Sequence, residues 1–144
     1  MKKSVCSGLL LGVFAISGCS GSSSSGSTVN LNGTWKINPH SLSKSISFDS
    51  FRVTFSHTDN TVKATSAQSS APAGTISCSS GIVTLTGTVA GNRFNGQLNT
   101  NASTTTFSVS GTSSAMAGTF NTHIHSGPCK RAGIITGNLT MAKI

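Results

Sequence analysis

Apolar and polar residues alternate along most of the chain after residue 30, which is typical of half-buried β-strands. Phe51, Val53 and Phe55 stand two positions apart, with Arg52 and Thr54 between them. No window of helical spacing is long enough to compete with this pattern. The alternation predicts strands over residues 33–37, 45–56, 61–67, 75–78, 82–89, 93–99, 104–112, 116–125 and 133–143.

Turn residues and an internal repeat indicate that these strands form hairpins. Thr58-Asp59-Asn60 and Gly91-Asn92 each separate two predicted strands. In the second turn, both Gly and Asn adopt a positive φ at little energetic cost. Residues 84–100 align with residues 108–122 as two copies of one hairpin, each with a glycine in both strands. Glycines at matching places permit a strongly curved sheet. We therefore expect an all-β fold: a single antiparallel up-and-down β-barrel, or rolled sheet, of about eight strands.

The N-terminus has the organisation of a secretory signal. Two lysines precede a mostly apolar run of about a dozen residues, 5–16, whereas a helix that spans a bilayer needs roughly twenty. Next, Ile16-Ser17-Gly18-Cys19 resembles the lipobox of bacterial lipoproteins. The resemblance implies that residues 1–18 are removed and that Cys19 is acylated, since two or more acyl chains hold a protein stably in a membrane. A transmembrane anchor and an ordinary signal peptide are the alternatives.

The residues after Cys19 separate the expected anchor from the folded part. In the lipoprotein family, a serine at the position of Ser20 implies transfer to the outer membrane. Residues 19–29 are rich in Ser and Gly and bury too little apolar surface to fold, so they form a flexible tether. We expect an outer-membrane, lipid-anchored protein with residues 30–144 as its β-barrel domain.

The charge balance gives little support to nucleic acid as a partner. Without the two lysines of the signal, eight basic residues remain against Asp49 and Asp59, a formal net charge of +6. The basic residues are scattered along the sequence, and only Lys130 and Arg131 are adjacent. No basic stripe with interleaved aromatic residues is present. We interpret the charge as serving solubility, with weak attraction to anionic lipid or polysaccharide as the alternative.

Two of the four cysteines remain for the folded domain. Cys6 leaves with the signal and Cys19 carries the lipid, so Cys78 and Cys129 form an even pair in an exported domain. Outside the cytoplasm such a pair is most simply a disulfide. A metal site that uses both thiolates is the alternative, but no Cys-X-X-Cys spacing supports it.

The first predicted strand adds a second resemblance. Gly33-Thr34-Trp35 looks like the Gly-X-Trp motif that opens the first strand of lipocalins and other calycins. The resemblance implies that Trp35 closes one end of the barrel and that a basic side chain near the last strand, here Lys143, lies across it. It also implies a cavity for a small apolar ligand, with a filled structural barrel as the alternative.

Candidate catalytic residues are few. Asp49 and Asp59 are the only acids in the chain, and each is explained by a turn or a loop. Paired-carboxylate hydrolysis and Ser-His-Asp chemistry therefore lack support. No glycine-rich loop opens a helix, which leaves nucleotide binding without support as well.

A histidine pair is the weak candidate for metal binding. His123 and His125 stand two apart on a predicted strand, so their side chains point to the same face. They could supply a first pair of zinc or copper ligands, with a third from His57 or His40. The alternative is a pair of polar residues on a solvent-facing side.

Together these patterns predict a lipid-anchored cell-envelope protein with a non-enzymatic β-barrel domain, a structural or interaction role and no cofactor. The alternative is a lipocalin-like binding protein for a small apolar ligand. The expected partners are the membrane, through the lipid anchor, and either a small apolar ligand or another envelope protein.

We predict that Cys78 and Cys129 are bonded to each other in the exported protein. The bond closes a loop of about fifty residues, which in the chain-entropy description stabilises the fold by up to about 4 kcal/mol. Cys129→Ser should therefore lower the free energy of unfolding by roughly 2–4 kcal/mol. Non-reducing mass spectrometry of the exported protein checks the bond, and two free thiols would contradict it.

Overall fold

The structure, a computed structural model, describes residues 28–43, 48, 50–64, 67–69, 84–127 and 129–144. These residues form nine β-strands and one short 3₁₀-helix. The strands are β1 (Gly33–Ser41), β2 (Phe51–Thr58), β3 (Thr61–Ala64), β4 (Ala67–Ser69), β5 (Thr84–Ala90), β6 (Arg93–Asn99), β7 (Ser103–Gly111), β8 (Ala115–Ile124) and β9 (Ile134–Lys143). The 3₁₀-helix (Lys130–Ala132) lies between β8 and β9.

The strands close into a barrel. All strand pairs in the described residues are antiparallel, and β1 pairs with both β2 and β9, which completes the circle. Because β3 pairs with residues 56–58 of β2 and β4 pairs with residues 51–53, these two short strands occupy one position in the barrel. The fold is a closed, eight-stranded, antiparallel up-and-down barrel, which confirms the predicted class and selects the barrel over the rolled sheet.

Burial alternates along the strands and separates the inside of the barrel from the outside. In β8, for example, Met116, Phe120, Thr122 and Ile124 are buried, whereas the residues between them are exposed or half-buried. The buried apolar side chains of the described strands form one cluster inside the barrel. Removal of their surface from water, at about 25 cal/mol per Å², is the main term that stabilises the fold.

The predicted strands agree with the observed ones over most of the described residues. Both predicted turns are present, with φ of 54° at Asp59 and 59° at Gly91, and the repeat corresponds to the hairpins β5–β6 and β7–β8. The first strand continues to Ser41, where residues 38–41 also pair with β9, and the predicted strand 61–67 is divided into β3 and β4. Several other strand ends shift by one or two residues, and β2 begins at Phe51. Residues 45–47 and 49 of the predicted strand 45–56, and the whole predicted strand 75–78, lie outside the described residues.

Phenylalanine rings occupy the space over two inward-facing glycines. Gly96 pairs directly with Phe107, and Gly137 pairs directly with Phe120. A Cβ atom on either glycine would collide with the facing ring. The pairing of a strand glycine with a cross-strand aromatic ring compensates for the missing side chain. These two glycines therefore make room for aromatic side chains of the core.

An aromatic row fills the barrel from one end to its middle. The ring centroids of Trp35 and Phe55 are 6.2 Å apart, those of Phe55 and Phe94 5.6 Å, and those of Phe94 and Phe107 5.2 Å. The last two pairs meet edge to face. Each such pair contributes roughly 0.5–1.5 kcal/mol beyond the burial of its surface.

The seam between the first and last strands brings Trp35 and Lys143 directly opposite each other. Trp35 is fully buried, and its indole Nε1–H donates to the carbonyl oxygen of Leu31 (2.8 Å). Lys143 is exposed and lies over Gly33, with its Cε 3.0 Å from the position that a Cβ atom of Gly33 would take. The glycine of the Gly-X-Trp motif thus leaves space for the lysine stem. A contact between the ammonium group and the indole ring stays a prediction.

We predict that Trp35 and Lys143 stabilise the barrel jointly. Trp35→Ala should lower the free energy of unfolding by about 3–5 kcal/mol, as for other buried aromatic residues, and Lys143→Ala by about 1 kcal/mol or less. Because the two residues are neighbours, the loss in the double variant should differ from the sum of the single losses. Chemical denaturation of the four proteins measures this coupling.

Lys63 provides the matched control for that cycle. Lys63 is an exposed lysine on β3 that pairs with Thr86, on strands remote from the seam. Its substitution by alanine should be additive with Trp35→Ala, since distant sites rarely couple. Zero coupling between Trp35 and Lys143 would show that the lysine does not support the tryptophan.

Candidate functional site

The barrel has two unlike ends. The floor end is formed by the segment that precedes β1 and by short connections, which are residues 59–60, 91–92 and 112–114. The mouth end is the end at which β1, β4, β6 and β8 finish and β2, β5, β7 and β9 begin. Its described parts include residues 42–43, 48, 50, 100–102 and 125–127 and the 3₁₀-helix. Binding residues concentrate on loops that a rigid scaffold holds in place. The mouth end is therefore the candidate functional site.

The segment that precedes β1 seals the floor end. Val29 and Leu31 are buried there, and the Val29 amide donates to the carbonyl oxygen of Gly91 (3.0 Å). Asn32 fastens the segment to β2: its Oδ1 accepts from the His57 amide (2.7 Å), and its Nδ2 donates to the His57 carbonyl oxygen (3.2 Å). These hydrogen bonds fix the point at which the chain enters the barrel.

The side chain of His57 is a structural part of this floor. Its Nδ1 accepts a hydrogen bond from the Leu31 amide (3.2 Å), so a neutral ring carries its proton on Nε2. That Nε2 atom is buried and has no hydrogen-bond partner. The ring therefore contributes one hydrogen bond to the floor.

A small cavity lies inside the barrel at the mouth end. Its volume is about 50 Å³, and eight of its eleven lining residues are apolar. The lining residues are Ile37, Pro39, Phe48, Phe51, Leu98, Ser103, Thr105, Phe107, Phe120, Thr122 and Leu139. The volume suits a few water molecules or a small chemical group, because a cavity needs roughly 10–15 Å³ on this measure to hold one water.

Hydroxyl groups form a polar edge in this apolar cavity. The Oγ1 atoms of Thr105 and Thr122 are 2.7 Å apart, and Ser103 Oγ lies 3.0 Å from Thr100 Oγ1. Ser103 and Thr122 are each only 2% exposed. In the threonine pair one hydroxyl donates to the other, so the hydrogen of the accepting hydroxyl can serve a further acceptor. The edge is suited to a ligand with one hydrogen-bond acceptor.

Phe48, in the connection between β1 and β2, lines the cavity. Its ring meets the ring of Phe120 edge to face, with 5.4 Å between centroids, and it packs against the core cluster. The ring occupies space that would otherwise belong to the cavity. A movement of this one side chain would enlarge the space under the mouth.

Sequence reasoning did not identify the residues of this cavity. Thr105 and Thr122 stand two positions from Phe107 and Phe120, so the period-two pattern could have placed them on the inner face. Because threonine is usually exposed, the residue type alone gives no reason to expect these side chains inside the barrel. Phe48 stands three positions before Phe51, out of phase with β2, which indicates a break between them but no contact with a cavity.

The predicted lipidation and disulfide sites lie partly outside the described residues. Cys19 and Cys78 are not among them, so the acylation and the bond stay predictions. Cys129 precedes the 3₁₀-helix at the mouth end and packs against the core cluster.

The two histidines of the predicted metal pair are exposed on the same side of the chain, with Ile124 buried between them. His123 and His125 lie at the mouth end, whereas His57 is fixed at the floor end. His40 is exposed on β1 and pairs with β9. No group of three or more potential ligands is present among the described residues. The proposed third ligand from His57 is therefore wrong, because the barrel separates it from the pair.

The fold and its two ends define the class of this protein as a small, closed up-and-down barrel with a sealed floor. Comparison of the chain with protein-family models, with curated proteins and with solved structures finds no match in any of the three. Within the described part of the chain, no helix is long and apolar enough to cross a membrane. The function has to be inferred from the geometry of the barrel itself.

Proposed function

We propose that this protein is a lipid-anchored component of the cell envelope whose β-barrel acts through structural or intermolecular contacts and not through catalysis. The observation that carries the proposal is the filled interior. Aromatic rings occupy the barrel from the floor to the middle, and the cavity at the mouth measures about 50 Å³. Pockets for drug-sized ligands typically measure about 300–1,000 Å³. A packed interior of this kind suits a structural role better than the enclosure of a ligand.

The proposed anchor would hold the barrel by its floor end. Thr28, the first described residue, precedes the segment that seals the floor. Residues 19–28 span at most about 35 Å when fully extended. The barrel would therefore remain close to the lipid, while the tether leaves the mouth end free to meet other molecules.

Different residues support the finer parts of this proposal. A lipocalin-like barrel is supported by the strand register, in which Trp35 of the Gly-X-Trp motif lies opposite Lys143. Acylation is supported by the lipobox-like residues 16–19, and an outer-membrane location by Ser20 after the cysteine.

We predict that Cys19→Ala releases the protein from membranes or blocks its processing, because the Cys19 thiol is the proposed site of acylation. Cells that express the full chain are labelled with a clickable palmitate analogue and then fractionated. The wild-type protein should carry the label and sediment with membranes, whereas the variant should carry none.

Cys6 provides the matched control for this experiment. Cys6→Ala also removes one cysteine from the N-terminal region, but at a position within the proposed signal. This variant should be labelled and anchored like the wild type. An unlabelled wild-type protein would refute the lipid anchor.

A second candidate function is the binding of a small apolar ligand, and the mouth cavity is the observation that favours it. The cavity is apolar except for its hydroxyl edge, and the Phe48 ring forms part of its wall against Phe120. Displacement of this ring would admit a single aromatic ring or a short alkyl chain. An acceptor atom on the ligand would then meet the Thr105–Thr122 pair.

We predict that Phe48→Ala creates a site that binds acetophenone more tightly than toluene, because only acetophenone offers an acceptor to the threonine pair. Ligand-dependent shifts of the melting temperature measure this binding. Thr122→Val in the Phe48→Ala background should remove the preference for acetophenone. Leu42→Ala, which changes an exposed residue at the mouth end, is the control. If neither compound shifts the melting temperature of Phe48→Ala, the ligand-binding hypothesis is wrong.

A further inference from the structure

The outer surface of the barrel has a basic side and an uncharged side. Lys36, Arg52 and Lys63 are exposed on β1, β2 and β3, which are neighbours in the barrel. Apart from Lys143 at the floor end of β9, the exposed positions of β7, β8 and β9 carry no Lys, Arg, Asp or Glu. The fold thus brings three of the seven basic residues in the described part of the chain to one side, whereas Arg93, Lys130, Arg131 and Lys143 lie elsewhere.

Two of these cations face each other directly. Lys36 and Arg52 are cross-strand partners in the β1–β2 register. Like charges in this arrangement are destabilising. On the far sides of the pair, Lys36 has Ala142 as its neighbour on β9 and Arg52 has Gln68 on β4, neither of them acidic. The only acidic side chain among the described residues is Asp59, in a turn at the floor end.

An external anion would relieve this repulsion. Cross-strand neighbours lie about 5 Å apart, and long basic side chains reach several ångströms beyond the sheet. Lys63 extends the same side toward the floor end, where it pairs with Thr86 close to the turn at Asp59. The three side chains therefore present an extended basic face to a partner with many negative charges.

We propose that the face formed by Lys36, Arg52 and Lys63 lies against an anionic lipid surface. The proposal rests on the lipid anchor of the proposed function, because a tether of about 35 Å at most keeps the barrel beside the headgroups. Each basic residue near such a surface strengthens binding roughly fivefold. The barrel then lies on its side, with the uncharged outer positions of β7, β8 and β9 turned to solvent.

Amine footprinting of the processed, full-length protein tests this arrangement. The protein is reconstituted in phosphatidylcholine vesicles with or without phosphatidylglycerol and treated briefly with an amine-acetylating reagent. Phosphatidylglycerol should slow acetylation of Lys36 and Lys63 by about fivefold, as judged by mass spectrometry. High salt should restore the rate, since it screens the attraction. Lys130, exposed at the mouth end, is the control within the same molecule and should be unaffected.

Arg52→Gln tests the contribution of the facing pair. This variant removes one cation and also the repulsion, so it should fold, and the protection of Lys36 by phosphatidylglycerol should weaken by about fivefold. Lys130→Gln lowers the net charge equally but should leave the protection of Lys36 unchanged. Equal effects of the two variants would show that net charge alone acts, and would overturn the proposed face.

The remaining outcomes separate this inference from the proposed function. A protein that fails to stay with neutral vesicles would refute the lipid anchor. A protein that stays with them but shows equal acetylation with and without phosphatidylglycerol would refute the basic face alone. Protection of Lys36 by soluble dextran sulfate, but not by phosphatidylglycerol, would show that the partner of the basic face is an anionic polysaccharide and not a lipid surface.

Discussion

The interior of an eight-stranded barrel is just wide enough to be filled by side chains, and this constraint governs the present structure. Strand glycines and aromatic rings satisfy it together: Gly96 faces Phe107, Gly137 faces Phe120, and neither glycine could carry even one more carbon atom. Because the glycines let the sheet curve and the rings fill the space inside, curvature and core packing depend on the same pairs. The small size of the mouth cavity follows from this filling.

The two ends of the barrel differ in how their polar groups are satisfied. At the floor end, the segment before β1 buries Leu31, and the carbonyl oxygen of Leu31 accepts the hydrogen bond of the Trp35 indole, so a large aromatic residue is buried with its polar atom satisfied. At the mouth end, the cavity combines apolar walls with paired hydroxyl groups. The floor is suited to stability, and the mouth is suited to contact with other molecules.

Much of the fold could be predicted because the inner and outer positions of most strands differ in hydrophobicity. Phe51, Val53 and Phe55 show this alternation. The turn between β5 and β6 could also be predicted, because glycine at position 91 permits the positive φ that the turn requires. The mouth could not be predicted in the same way. Thr122 is buried although threonine is usually exposed, and Phe48 reaches the cavity from a connection without periodicity.

By itself, the sequence determined the all-β class, the hairpins and the approximate positions of the strands, because those depend on residues close together in the chain. It also contains the lipobox-like residues 16–19, whose interpretation does not depend on the fold of the domain. Only the tertiary structure decided which distant residues meet. Closure places Trp35 opposite Lys143, as the Gly-X-Trp resemblance implied, and the β1–β2 register places Lys36 opposite Arg52, which nothing in the sequence indicated. The physical reason is that a tight turn fixes the register of its own hairpin, whereas the register of β1 with β2 and with β9 depends on closure of the whole barrel.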